Sequence, residues 1–141
     1  MPTSNKGIYI LELLATENFS IFAKKFIGIT FPPGYYYYIG SAQKNLKSRI
    51  ERHKRKTKIV HWHIDHITTH KSLRIVDTLI FLEAEKKVEA EIANHFIENF
   101  DAQIIVNGFG NSDTKETKTH LFFKKKRIEI REFQRFYNFQ K

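Results

Sequence analysis

The chain contains no cysteine, which excludes thiolate zinc sites and thiol nucleophiles and agrees with a reducing compartment. No apolar run approaches about 18 residues, the length a helix needs to cross a bilayer, and the N-terminus lacks the hydrophobic region of a secretion signal. These absences predict a soluble, intracellular, cytoplasmic protein. No repeat and no low-complexity linker divides the sequence, so residues 1–141 read as one domain, with a core over about 6–123 and a basic C-terminal helix over about 125–137. Acidic residues are scarce: 15 Asp and Glu stand against 24 Lys and Arg, a net charge of +9 that calls for a polyanionic partner. Apolar material is sufficient, since 41% of the residues are hydrophobic and 13 are phenylalanine. A chain of this length buries roughly two thirds of its unfolded surface in a single core.

The positive charge is concentrated. Between Lys44 and Lys58 lie Lys44, Lys47, Arg49, Arg52, Lys54, Arg55, Lys56 and Lys58, with Glu51 the one acid, and a second basic stretch runs from Lys124 to Arg135. Such a run is either a solvated face or a phosphate grip. In the second case Lys44, Lys47, Arg52, Lys54 and Lys56 are the nucleic-acid contacts.

Gly7 to Leu14 reads as a strand. The apolar stretch Phe19 to Phe31 holds few breakers until Pro32-Pro33-Gly34 turns the chain, and the aromatic, β-branched segment Tyr35 to Ile39 reads as a second strand. Ser41 is placed to cap a helix from Ala42 to about Lys56. A short helix follows over His61 to Thr68, then a strand over Leu73 to Leu82. The segment from Glu83 to Phe100 is helical by the four-residue recurrence of Ala84, Val88, Ile92 and Phe96. After the polar loop Asn107 to Asp113, a short strand near His120 to Phe123 and a basic, aromatic helix from Lys125 to about Tyr137 complete the pattern. The fold class is α/β (α+β), with a small, mainly antiparallel sheet flanked by helices.

Charges interrupt the apolar faces at three places. On the helix after Ser41, Leu46 and Ile50 define the inward stripe, and Arg49 and His53 lie three residues beyond each of them. Arg49 can run along the core edge to water, pair with a local acid, or hold an anionic ligand. On the 83–100 helix Glu89 and Glu85 fall inside the apolar arc and Glu91 at its edge. A carboxylate there needs a cation or a hydrogen-bond partner, which a lysine, Arg49 or a metal could provide. The third place is His61-Trp62-His63-Ile64-Asp65, where His61, His63 and Asp65 are readable as metal ligands, as phosphate contacts or as a polar cluster around Trp62. In a helix His61 and Asp65 share a face and His63 does not, so a three-ligand site requires irregular backbone.

Taken together, Gly7-Ile8-Tyr9, Tyr38-Ile39-Gly40, the Arg49/His53 pair on the next helix and a helical glutamate resemble the GIY-YIG nuclease family. The resemblance covers about Lys6 to at least Phe100. A narrower one, to a compact branch found alone or joined to a DNA-repair glycosylase domain, adds Phe31 to Tyr36, Gly40-Ser41-Ala42, His61 to Asp65, Gly108-Phe109-Gly110 with Ser112-Asp113, and His120-Leu121-Phe122. Two departures stand out: the stretch between Tyr9 and Tyr38 is longer than in typical family members, and the cysteines that often follow the Ser-Asp pair in the branch are missing from Thr114 to Lys118.

The resemblance implies a metal-dependent endonuclease that cleaves DNA phosphodiesters in repair or processing. In it Tyr9 would take a proton from the attacking water or orient that water, and Tyr38 would line the site. Arg49 would hold the scissile phosphate, His53 would orient Tyr9 or contact a phosphate, and Glu89 would bind one Mg²⁺ or Mn²⁺. Asn107 is the candidate for the asparagine that family members often supply after the helix. Gly7 and Gly40 serve close backbone approach. The expected partner is DNA, with RNA as the alternative, in company with a DNA-repair protein. Two rival readings are a non-catalytic DNA- or RNA-binding module of the same fold and a small-substrate metalloenzyme built on the histidine cluster.

Overall fold

The computed structural model describes residues 5–110 and 119–138. Four strands form one sheet: β1 (Gly7–Ala15), β2 (Gly34–Ala42), β3 (Leu73–Leu82) and β4 (Leu121–Lys124). Their order is β3-β1-β2-β4, and every pairing is antiparallel. The sequence of β1, GIYILELLA, explains its central place, because a strand covered on both faces reads as a near-continuous apolar run. The edge strands differ. β4 is only four residues long, and β3 carries Arg74 and Asp77, so neither edge is a long apolar template for further pairing.

Alternation along β1 and β2 builds two cores. Tyr9, Leu11 and Leu13 with Tyr36 and Tyr38 face α1 (Leu46–Lys54) and α2 (His63–Thr68), whose Leu46, Ile50, Ile64 and Ile67 are buried there. Ile8 and Ile10 with Tyr37 and Ile39 face the opposite way, toward Ile92, Ala93 and Phe96 of α3 (Lys87–Phe100) and Phe133 of α4 (Arg131–Asn138). The fold is thus helix, sheet, helix in three layers, each face buried against its own helices. Among the described residues no helix is long and apolar enough to cross a membrane.

Several element ends differ from the expected ones. Ser41 and Ala42 belong to β2, paired with Ile8 and Gly7, so α1 begins at Leu46 after a left-handed Asn45, and Ser41 caps nothing. Sheet pairing outcompetes a local cap here. Helix α3 begins at Lys87, because Glu83 takes a left-handed conformation (φ 63°) that turns the chain after β3. Glu85 therefore precedes the helix and is exposed instead of lying in the apolar arc. Helix α4 begins at Arg131, six residues later than Lys125. Between β1 and β2, Phe19 and Phe31 bridge and stack at 4.9 Å, around a single 3-10 turn at Lys24–Phe26.

Candidate active site

Where the N-terminal end of β1 meets the C-terminal end of β2, the two tripeptides lie side by side, with Tyr9 opposite Gly40. A Cβ on Gly40 would overlap the Tyr9 ring, and one on Gly7 would overlap the Phe81 carbonyl of β3. Both glycines therefore serve close approach: one makes room for a phenol, the other for a neighbouring strand.

A cleft of about 260 Å³ opens here, lined by Tyr9, Tyr38 and Gly40 from the sheet, Arg49 and His53 from α1, His61, Trp62 and His63 before and at the start of α2, Lys86 and Glu89 beside and in α3, and Gly110 and His120. At its base the Tyr9 hydroxyl and His53 Nε2 are hydrogen-bonded at 2.7 Å. Both side chains are buried, and Tyr38 packs against each, with ring centroids 6.4 and 6.3 Å away. Burial, then the Tyr38 phenol, raise the Tyr9 hydroxyl well above the ordinary tyrosine value, against the opposing pull of the Arg49 guanidinium. Burial, helped by Lys58, pushes the His53 imidazole down to about 4. Near neutral pH the pair is thus a protonated phenol beside a neutral imidazole. Moving the phenol proton onto the ring is strongly uphill, which favours Tyr9 as an orienting hydroxyl over Tyr9 as a free base.

Arg49 is half-buried. One of its guanidinium nitrogens donates to the Ser41 carbonyl at 2.6 Å, and the guanidinium lies over the Trp62 ring at 5.0 Å. Among the described residues it has no carboxylate partner, so the local-acid alternative fails and a cation remains facing the cleft. Arg52, one residue short of a full turn further on, is used differently. It pairs with buried Asp65 at 2.7 Å, donates to the Ile59 carbonyl and covers the other Trp62 contact at 4.6 Å. Trp62 thus lies within cation–π distance of two guanidiniums, one paired with an acid and one not.

Asp65 corrects the histidine-cluster reading. Its carboxylate accepts the His61 and Trp62 backbone N–H groups, both at 2.8 Å, besides Arg52, so it caps α2 from inside the protein. Burial alone would raise its pKa; these donors outweigh burial and hold it low. His63 accepts the Gly110 N–H through Nδ1 at 3.0 Å and packs edge-on against Phe26. His61 and His63 line the cleft, Asp65 does not, and the three do not converge on a point.

The basic run divides in the same way. Lys44, Lys47 and Lys54 are exposed, Lys54 making one long surface contact of 4.0 Å with Glu51. Lys56 instead donates to the His70 and Leu73 carbonyls, and Lys58 to those of Arg52 and His53. Arg52 and Lys56, expected to hold nucleic acid, are thus occupied with the protein's own oxygens. Asn107 is exposed and does not line the cleft. Ser112-Asp113 lies outside the described residues.

Glu89 sits in the first turn of α3 with 5% of its side chain exposed, and its Oε1 stands 3.4 Å from Nε2 of an equally buried His120. Burial lowers the His120 pKa, against the pull of Glu89. His120 was visible in the sequence only as part of a motif. Its role in the site follows from the pairing of its carbonyl with the Ile39 N–H at 3.0 Å, which sets it beside β2 at the cleft. A hard oxygen donor buried at a cleft wall without a hydrogen bond among the described residues suits a divalent cation that keeps most of its waters. No three His, Cys, Asp or Glu side chains converge among those residues, so a cage made only of protein is not what they offer.

A family model described as a domain of unknown function, DUF123, matches residues 8–138, and the chain belongs to that family. No curated protein and no solved structure matches it significantly.

Proposed function

We propose that this member of the DUF123 family is a metal-dependent endonuclease that hydrolyses DNA phosphodiesters in the cleft, by the chemistry of the GIY-YIG nucleases, during repair or processing of DNA. The observation that carries the reading is the meeting of Tyr9, Arg49, His53 and Glu89, contributed by β1, α1 and α3, on one concave surface whose tripeptides pair as neighbouring strands. Arg49 makes a backbone hydrogen bond and lies over Trp62, but no carboxylate among the described residues neutralises its charge.

Each residue has a task in the displacement. The Arg49 guanidinium binds the scissile phosphate and stabilises the charge that builds on its oxygens, a contribution of about 3 kcal/mol for one well-placed donor. The Tyr9 hydroxyl positions the attacking water and His53 fixes the direction of that hydroxyl. Water oxygen forms the new P–O bond as the strand's P–O bond breaks, one proton of that water passes to bulk water, and the departing sugar oxygen takes a proton from solvent. A divalent cation held by Glu89, Mg²⁺ or Mn²⁺, supplies Lewis-acid stabilisation of the leaving oxygen when bound. Exposed Lys44, just before α1, and Lys47 and Lys54 within it lead the strand in.

The test is incubation with supercoiled, linear and branched DNA in Mg²⁺, in Mn²⁺ and in chelator. Metal-dependent nicks that vanish in Arg49→Ala support the reading. Binding without any metal-dependent cleavage replaces it with a DNA-binding module of the same fold.

A further inference from the structure

We propose that His120 is a second protein ligand for the cation at Glu89, so that the cleft holds a two-donor imidazole and carboxylate site that favours Mn²⁺, Co²⁺ or Ni²⁺ over Mg²⁺. The proposal rests on the nuclease reading only for the presence of a cation at Glu89.

Three observations converge. The first is an orphan: His120 Nε2 is buried and has no hydrogen-bond partner among the described residues. A buried polar atom left unpaired costs about 1–3 kcal/mol, so its persistence calls for a partner that binds only at times. The second is direction. The His120 carbonyl accepts the Ile39 N–H of β2 at 3.0 Å, which anchors the residue at the cleft, and its Nε2 stands 3.4 Å from Oε1 of Glu89. An imidazole that carries its proton on Nδ1 presents Nε2 there as a lone pair, as ligand histidines do.

The third is spacing. Two acceptors 3.4 Å apart repel unless a positive species lies between them. Donors each about 2.1 Å from one ion stand about 3.0 Å apart at an octahedral angle of about 90° and about 3.4 Å apart at a tetrahedral angle of about 110°, so the observed separation lets one ion bridge the pair with little movement of either side chain. An imidazole in the donor set selects against Mg²⁺, which prefers oxygen alone, and toward the later divalent metals.

Mn²⁺ provides the probe, because its electron spin echo modulation reports a directly bound imidazole nitrogen without any cleavage being measured. The full chain should bind Mn²⁺ at least about tenfold more tightly than Mg²⁺ and show that nitrogen. In His120→Gln the nitrogen should vanish and Mn²⁺ affinity should fall about tenfold or more, with Mg²⁺ affinity changing by less than about threefold. A wild-type spectrum without a coordinated nitrogen overturns the proposal, as does a nitrogen that survives in His120→Gln and so comes from another histidine. The first of these outcomes is read on the unaltered protein and so does not depend on the stability of the variant; the second is read on His120→Gln whose thermal melt shows it folded. Loss of Mn²⁺ binding in Glu89→Gln together with a nitrogen-free wild-type spectrum would leave the nuclease reading intact and remove His120 alone. Unchanged Mn²⁺ affinity in both variants would remove both.

Discussion

Two buried tyrosines, one on each face of the same pair of strands, are held by opposite kinds of polar network. On the α3 and α4 side, Tyr37 donates to Glu12 at 2.7 Å and accepts the Ile128 N–H at 2.8 Å, and the Glu12 carboxylate also takes Arg127 in a fork at 2.9 and 3.2 Å. No buried side-chain nitrogen or oxygen of that group is left without a partner. On the cleft side, Tyr9 is bonded to His53 and lies beside the Arg49 guanidinium, while His53 Nδ1 and His120 Nε2 have no hydrogen bond among the described residues, and Arg49 has no acid partner there. Burial is equal in the two places, so it does not separate them. Completeness does. A satisfied buried network specifies and stiffens a fold, whereas an incomplete one is a stored cost that a ligand can relieve.

The contrast predicts different losses on the two sides. The largest belongs to the cleft: Arg49→Ala should slow cleavage about 100- to 1,000-fold, the loss of one transition-state donor, with the melting temperature moved by only a few degrees. Glu89→Gln should cost at least about 100-fold, about 2.7 kcal/mol of barrier, without loss of stability, because a buried amide is cheaper than an unpaired carboxylate. Exposed Glu85 and Glu91 are the controls, and their glutamine variants should cut normally. If Arg49→Ala melts far earlier yet cuts normally in the cold, the cleft is as structural as the opposite face.

His53 comes next. Its pKa is about 4 in the folded protein, against about 6.5 when unfolded. Between those values the unfolded chain binds the extra proton, so the stability that neutral His53 allows is complete above about pH 6.5 and is lost as pH falls toward 4. The swing is up to about 3 kcal/mol for this one group. His63, His70, His95 and His120 are lowered in the same direction and add to the slope. Denaturant unfolding of His53→Asn across that window should give a visibly flatter curve than the wild type. Equal slopes would mean that His53 is not held neutral by its surroundings.

On the satisfied side, Tyr37→Phe should remove about 1–3 kcal/mol of stability, since it strips a donor from Glu12 and an acceptor from Ile128 at once. Cleavage at low temperature should be unchanged. Reduced turnover at full stability would show that the two faces are coupled.

Much of this arrangement could be read from the sequence, and what could not has a common cause. Strands β1, β2 and β3 and the stripe of α3 follow from local pattern, as does Glu89 as a charge inside an apolar arc. Glu85 failed the same argument because one left-handed residue, Glu83, makes the helix begin a turn later than the sequence suggests. Arg52 and Arg49 look alike in the sequence. Only the tertiary position of Asp65, 13 residues from Arg52, commits one and leaves the other free. His120 was missed because nothing local links it to Glu89, 31 residues earlier; a backbone bond to Ile39 brings it there.

The smallest expected effect divides the basic run from Lys44 to Lys58 by the same criterion. Lys44 and Lys47 are exposed, and their ammonium groups have no hydrogen bond or ion pair with other described residues, whereas that of Lys56 donates to two backbone carbonyls. A cation that is free in the protein can neutralise a phosphate and release its counterion, at about 0.9 in the log–log salt slope per contact on duplex DNA. The double variant Lys44→Gln, Lys47→Gln should therefore bind DNA with a slope shallower by up to about 1.8, while its thermal melt stays unchanged. Lys56→Gln should do the reverse, lowering the melting temperature slightly and leaving the slope alone, because the charge it removes was already engaged. Affinity measured at four salt concentrations distinguishes the two variants even if each change at a single concentration is small. A slope that Lys56→Gln reduces and the double variant does not would mean that bound phosphate displaces the His70 and Leu73 carbonyls from Lys56. The bonds that hold Lys56 to the start of β3 would then give way when DNA arrives, and the division between committed and free charge would hold only for the protein alone.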